Sequence, residues 1–222
     1  MMIFNELRKH GRLAAKRHPM YEKNKVAKIL GYVMGAFWAG YLIFFGTTFA
    51  FGFSDMVPNR EPYHVMNAVV LIFILALDFL LRVPLQKTPT QEVKPYLLMP
   101  VRRNRVIDFL LIRSGLSSYN LIWLFMFAPF AIITIPKFFG LWGVLTYCAG
   151  IWLLMVFNNY WFLLCRTLIS ERIWWVLLPL AIYGGIAAAI FIPEDKSVVA
   201  NLFIDLGEGY IEGNLLAFIG TL

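Results

Sequence analysis

A chain of 222 residues that is 60% apolar, 17% aromatic and only 15% charged lies far from the roughly 45–50% apolar and 25% charged balance of soluble domains. That composition excludes a soluble enzyme and predicts an all-α polytopic membrane protein. The net charge of +7 is read as membrane topology and attraction to anionic lipid headgroups, so nucleic acid is not needed as a partner.

The first element is a basic segment over 1–28, in which Arg8, Lys9, Arg12, Lys16, Arg17, Lys23, Lys25 and Lys28 alternate irregularly with Leu7, Leu13, Met20 and Tyr21. Such a segment either lies flat on the inner leaflet with its lysine and arginine stems snorkelling, or serves only as an orientation signal. A charge-free run over 29–53 follows, long enough to cross a hydrocarbon core of about 30 Å. Within it Gly31 with Gly35, and Ala36 with Gly40, have the small-xxx-small spacing that lets helices pack closely.

The second span is expected over 65–81. It holds one acid, Asp78, a helical turn before Arg82, a spacing at which carboxylate and guanidinium pair and lower the cost of an acid near the interface. The loop over 82–105 then reads RVPLQKTPTQEVKPYLLMPVRRNR. Thr88 can cap a helix with Pro89 at its first position and Gln91 reaching back. Pro95 and Pro100 bracket Tyr96, Leu97, Leu98 and Met99. The pattern predicts a short helix that either presents apolar side chains to a groove on another protein or rests on lipid headgroups.

Three more spans are expected, over 110–136, 138–165 and 173–193, with Pro129 and Pro179 as kinks. Ser114, Ser117, Ser118 and Asn120 on the third, and Asn158 and Asn159 on the fourth, need hydrogen-bond partners that hydrocarbon does not offer. They face other helices or a polar path, with Ser117, Asn120, Asn158 and Asn159 the candidates for that path. In the tail over 194–222, Val198, Val199, Leu202, Phe203 and Leu206 recur at helical spacing between acids, as in a helix lying on the outer surface. The apolar stretch after Asn214 is either the start of a sixth span or a buried tail.

All but Arg60, Lys137 and Lys196 of the 20 Lys and Arg fall in the N-terminal segment, in or beside the loop over 82–105, or in the turn holding Arg166 and Arg172. By the positive-inside rule these regions and the N-terminus are cytoplasmic. The remaining loops collect acids: Asp55 and Glu61 in one, Glu194, Asp195, Asp205, Glu208 and Glu212 in the last.

His10, His18 and His64 stand at no metal-ligand spacing, and neither a hydrolase signature nor a GxxxxGK[ST] phosphate loop occurs, so no metal, cofactor or catalytic residue is assigned. Cys148 and Cys165 fall on one predicted helix roughly 25 Å apart, too far for a mutual disulfide.

The order of elements resembles the membrane subunit of ABC-2-type transporters. The segments QKTPTQEVKPYLLMPVRRNR and DFLLIRSGLSSYNLIW look more specifically like a family of uncharacterised bacterial ABC-2-like permeases. The resemblance implies a non-enzymatic permease in a bacterial inner membrane. It further implies a separate cytoplasmic ATPase subunit as partner and pairing as a homo- or heterodimer through the first and fifth spans. Its coupling element would be Thr90, Gln91, Glu92, Val93, Tyr96, Leu97, Leu98 and Met99. The alternative is a non-transporting membrane scaffold that recruits a cytoplasmic partner through the same loop.

Overall fold

The computed structural model describes residues 25–56, 61–86, 103–189, 191 and 198–221, with Lys9 and Leu13 besides. The rest of the basic N-terminal segment and the coupling residues Thr90 to Met99 lie outside the described residues. Among the described residues every regular element is helical.

Helix α1 (Lys25–Met56) uses its two halves differently. Leu42, Gly46 and Ala50 are buried, and the α1 backbone comes so close to Met126 of a later helix that a Cβ on Gly46 would overlap the Met126 carbonyl. Along the same stretch Tyr41, Phe45, Phe49 and Phe53 form a ladder of ring contacts at i,i+4 spacing. From Ile29 to Tyr41 the helix is exposed except at the half-buried Ala39. Gly31, Gly35 and Gly40 have nothing within 4 Å of a would-be Cβ, and Ala36 is exposed too. Within this chain, then, Gly46 rather than the small-residue stripe makes the close approach.

Pro62 opens α2 (Pro62–Val65) at a position where a missing N–H costs nothing. A π-helical turn (Met66–Leu71) and α3 (Ile72–Leu85) continue it. The three run as one apolar helix, Pro62–Pro84. It is longer than the expected span over 65–81, and Arg82 sits inside it at 1% exposure. Arg82 is therefore a buried helical residue and not the first residue of a loop, because its charge is neutralised by neighbours within the bundle.

The third span is not a continuous helix. Helix α4 (Arg103–Gly115), a 3-10 turn (Ser118–Leu121) and α5 (Leu124–Thr134) form a pair bent by 58°. The bend falls at Ile122 and Trp123, between Asn104–Leu121 and Leu124–Thr134, just after the cluster Ser114, Gly115, Ser117, Ser118 and Asn120, whose small polar side chains compete for backbone groups. Pro129 lies instead within α5.

Helix α6 (Pro136–Glu171) carries both free cysteines, Cys148 and Cys165. Gly140, at φ 68°, bends its first turn, a left-handed conformation that costs glycine little. After a 3-10 turn (Ile173–Val176), α7 (Leu177–Ala189) holds Pro179 in its first turn, where the absent donor is tolerated. Among the described residues its apolar stretch, Ile173–Ala188, is shorter than the three long apolar helices.

Helix α8 (Val198–Glu212) does not rest on the face formed by Val198 and Leu202, which are 80% and 58% exposed. Its buried side is Ala200, Gly207, Gly209, Tyr210 and Ile211. Tyr210 lies over Gly150 of α6 so closely that a Cβ there would enter the ring. Gly213, at φ 74°, turns the chain into α9 (Leu215–Gly220), capped by the side chain of Asn214. Phe218 of α9 packs on Tyr210 with ring centroids 5.2 Å apart.

The core shared by these helices includes Met66, Leu71, Met126, Phe127, Phe130, Ile151 and Met155. Among the described residues three helices are long and apolar enough to cross a membrane, Ile29–Phe53, Pro62–Pro84 and Pro136–Glu171, and the bent pair makes a fourth if counted as one span. This is a membrane-associated helical protein.

Candidate functional site

Asp78 and Arg82 stand one turn apart on α3, at 0% and 1% exposure. Arg82 Nε donates to Asp78 Oδ2 at 2.7 Å. A buried ion pair is tolerated only where further hydrogen bonds satisfy both charges, and α6, the elbow between α4 and α5, and α7 supply them.

From α6, Asn158 Nδ2 donates to Asp78 Oδ2 at 2.8 Å and to the Leu75 carbonyl at 3.2 Å. The next residue, Asn159, accepts at Oδ1 from Arg82 Nη1 at 2.9 Å and from Gln86 Nε2 at 2.8 Å. Its Nδ2 donates to Ser114 Oγ, at the end of α4, at 3.0 Å. From α7, the Tyr183 hydroxyl donates to Asn158 Oδ1.

The elbow closes on the same pair. Asn120 Oδ1 accepts from Arg82 Nη2 at 2.9 Å, while its Nδ2 donates to the carbonyls of Gly115 at 2.7 Å and Ser114 at 3.1 Å, two acceptors left over where α4 ends. Trp123 Nε1 donates to Asp78 Oδ1 at 2.8 Å. The Tyr119 ring lies 4.8 Å from the guanidinium carbon, within cation–π range. Asp78 thus accepts from three donors on three elements, and Arg82 is tied to both its own helix and two others. Such a network holds helices together; its charged groups are committed to one another rather than offered to a substrate.

Of the residues singled out in the sequence, Asp78, Arg82, Asn120, Asn158 and Asn159 meet here. Ser117 does not: its hydroxyl accepts from the Tyr119 amide at 3.4 Å and caps the 3-10 turn. Gly31, Gly35, Ala36 and Gly40 lie away from the network on the exposed half of α1. Gln86, Tyr119, Trp123 and Tyr183 were not foreseen, since an aromatic residue in an apolar run looks like packing. The available signal was that a buried indole or phenol still needs a polar partner.

A second, smaller polar layer lies toward the other end of the helix pair. The Tyr147 hydroxyl donates to Asn67 Oδ1 at 2.8 Å, both residues at 0% exposure. Among the described residues Asn67 Nδ2 has no hydrogen-bond partner, and it abuts Gly207, where a Cβ would collide with it. His64 Nε2 pairs with Glu208, and Thr146 Oγ1 donates to the Ile211 carbonyl at 3.1 Å. Helix α8 is fastened to both α2 and α6 at this level.

The profile of a family of unknown function (DUF5687) matches residues 12–220. The chain belongs to that family. No curated protein and no solved structure matches it. The match takes in all of α1 to α9, so both polar layers fall within the part of the chain that defines this DUF5687 member.

Proposed function

We propose that this protein is the permease subunit of an ATP-driven exporter of the ABC-2 type, with five crossings, a cytoplasmic N-terminus and a place in a bacterial inner membrane. Ile173–Ala188 is its shortest crossing. A separate cytoplasmic ATPase docks on the segment over 87–102, at Thr90 to Met99, and the permease works as a pair. The observation that carries this reading is the way the two helices flanking that segment are tied. Gln86, one residue past α3, and Ser114, at the end of α4, both bond to Asn159 of α6. Force applied to the intervening segment therefore has a polar route into the bundle.

The test is affinity purification of the chain from native membranes in mild detergent. The expected result is a near-stoichiometric soluble protein with a GxxxxGK[ST] loop, lost on the triple substitution Tyr96→Ser, Leu97→Ser and Leu98→Ser. A co-purifying protein without such a loop would replace the permease with a membrane scaffold.

A further inference from the structure

We infer that the Asp78–Arg82 pair is a latch that sets the bend of the broken span, with Asn120 and Trp123 as the residues on which it closes. The inference concerns this chain's own conformations and does not depend on an ATPase partner.

A 58° break within an apolar span frees backbone groups and loses the continuous helical ladder, so something outside the span must hold it. The local bonds through the elbow and across the bend are mostly short-range turns: Asn120 N to Ser117 O at 3.1 Å, Ile122 N to Tyr119 O at 3.2 Å, Phe125 N to Ile122 O at 3.1 Å and Met126 N to Trp123 O at 3.0 Å. Turns of this kind fix the local path and leave the angle between the flanking helices soft. The angle is set by contacts to other elements: α5 is fixed by its close approach to α1 at Gly46 and Met126, which leaves the contacts of α4 and of the elbow.

Helix α4 is held along α6, where the Tyr160 hydroxyl donates to the Leu111 carbonyl at 3.1 Å and Gly115 lies so close to Tyr160 that a Cβ would overlap its hydroxyl. The elbow itself is held by one bond to each member of the ion pair, Asn120 to Arg82 and Trp123 to Asp78. The carboxylate and the guanidinium thus grip opposite sides of the same turn. Releasing the grip loosens the elbow end of α4, which keeps its contacts to α6 and to Gln86, and leaves the Ser114 and Gly115 carbonyls without their Asn120 cap if that side chain swings out.

The two elbow bonds can be removed without touching the pair. In Trp123→Phe and Asn120→Ala, Asp78 and Arg82 keep each other, Asn158 and Asn159. Amide hydrogen exchange of the full chain in lipid nanodiscs reads the result. A hydrogen bond to a charged group shifts a local opening equilibrium about ten- to hundredfold. The expected result is exchange faster by that factor in α4 and in Leu116–Trp123, with α6 around Tyr147 unchanged. Exchange in α4 and the elbow no faster than in the parent chain would overturn the latch. So would an equal rise throughout the chain, which would make the two residues general supports of the fold. If Asn120→Ala fails to fold, Trp123→Phe, which keeps an aromatic ring in place, decides alone. Failure of both to fold would also overturn it, because the elbow would then not be separable from the bundle.

Discussion

The guanidinium of Arg82 and the side-chain amide oxygen of Asn159 are 2.9 Å apart across 77 positions of sequence. That bond is one of four that hold a positive charge in the interior, and it makes Arg82 the residue whose loss is felt most widely. Replacing Arg82 by Met strands the Asp78 carboxylate among apolar helices. The expected loss of stability is about 3–5 kcal/mol, measured by reversible unfolding in mixed micelles. Adding Asp78→Asn to Arg82→Met should recover part of the loss, since the uncompensated charge is gone. A double variant no better than Arg82→Met alone would show that the attraction between the charges is not what stabilises the site.

Gly207 and Gly150 mark where helices touch at backbone distance. Alanine at Gly207 must displace the Asn67 amide, and at Gly150 the Tyr210 ring, at an expected cost of about 1–3 kcal/mol each. Alanine at Gly35 meets nothing, and in the isolated chain it should be neutral or stabilise α1 by up to about 1 kcal/mol. The same unfolding assay ranks the three.

The exposed stripe on α1 also tests the proposed pairing of permeases. Gly31→Ile combined with Gly35→Ile should leave folding of the single chain intact. If α1 is the pairing helix, the double variant shifts the protein from dimer to monomer in cross-linking or light scattering. An unchanged oligomeric state removes α1 from the interface.

Helix α8 depends in part on His64 and Glu208, whose side chains are 25% and 41% exposed. Because water screens such a pair, Glu208→Gln should cost only about 0.5–1 kcal/mol. The local consequence is larger than the global one: limited proteolysis should cut within 198–212 sooner, while cleavage elsewhere keeps its rate.

Orientation is checked with single cysteines in a chain whose Cys148 and Cys165 have been replaced by alanine. With five crossings and a cytoplasmic N-terminus, a membrane-impermeant maleimide added to intact cells labels Glu212→Cys and spares Arg172→Cys. Labelling of both, or of Arg172→Cys alone, overturns the proposed topology.

The helical class and the three long apolar helices, with the bent pair as a fourth, were legible because they follow from long runs with few charges. The Asp78–Arg82 pair was legible from spacing, since residues four apart share one face of a helix. Asn120, Asn158 and Asn159 were legible as groups needing partners; that all three turn to the Asp78–Arg82 pair depends on how separate helices pack, which spacing along the chain does not encode. The elbow left a signal in the run Ser114, Gly115, Ser117, Ser118, Tyr119 and Asn120, a cluster of turn formers inside an apolar stretch, outweighed by the total length of that stretch. The apolar residues expected on one face of α8 divide in the fold: Val198 and Leu202 are exposed, while Phe203 and Leu206 pack against the core. Gly207 admits the Asn67 side chain, and Tyr210 and Ile211 fill the rest of the buried side.

The two polar layers lie along the same pair of helices, with Asn67 and Tyr147 at one level and Asp78, Arg82, Asn158 and Asn159 at the other. They are separated by roughly 16 Å of helix filled by apolar side chains. Each layer acts as a pin through both helices, and two pins fix axial register. A slip of one turn, about 5.4 Å, would break both layers at once, in surroundings that offer the freed groups no water. Sliding of this pair is therefore closed to the molecule, and whatever movement it makes must be a rotation or a change of angle in helices outside the pinned pair.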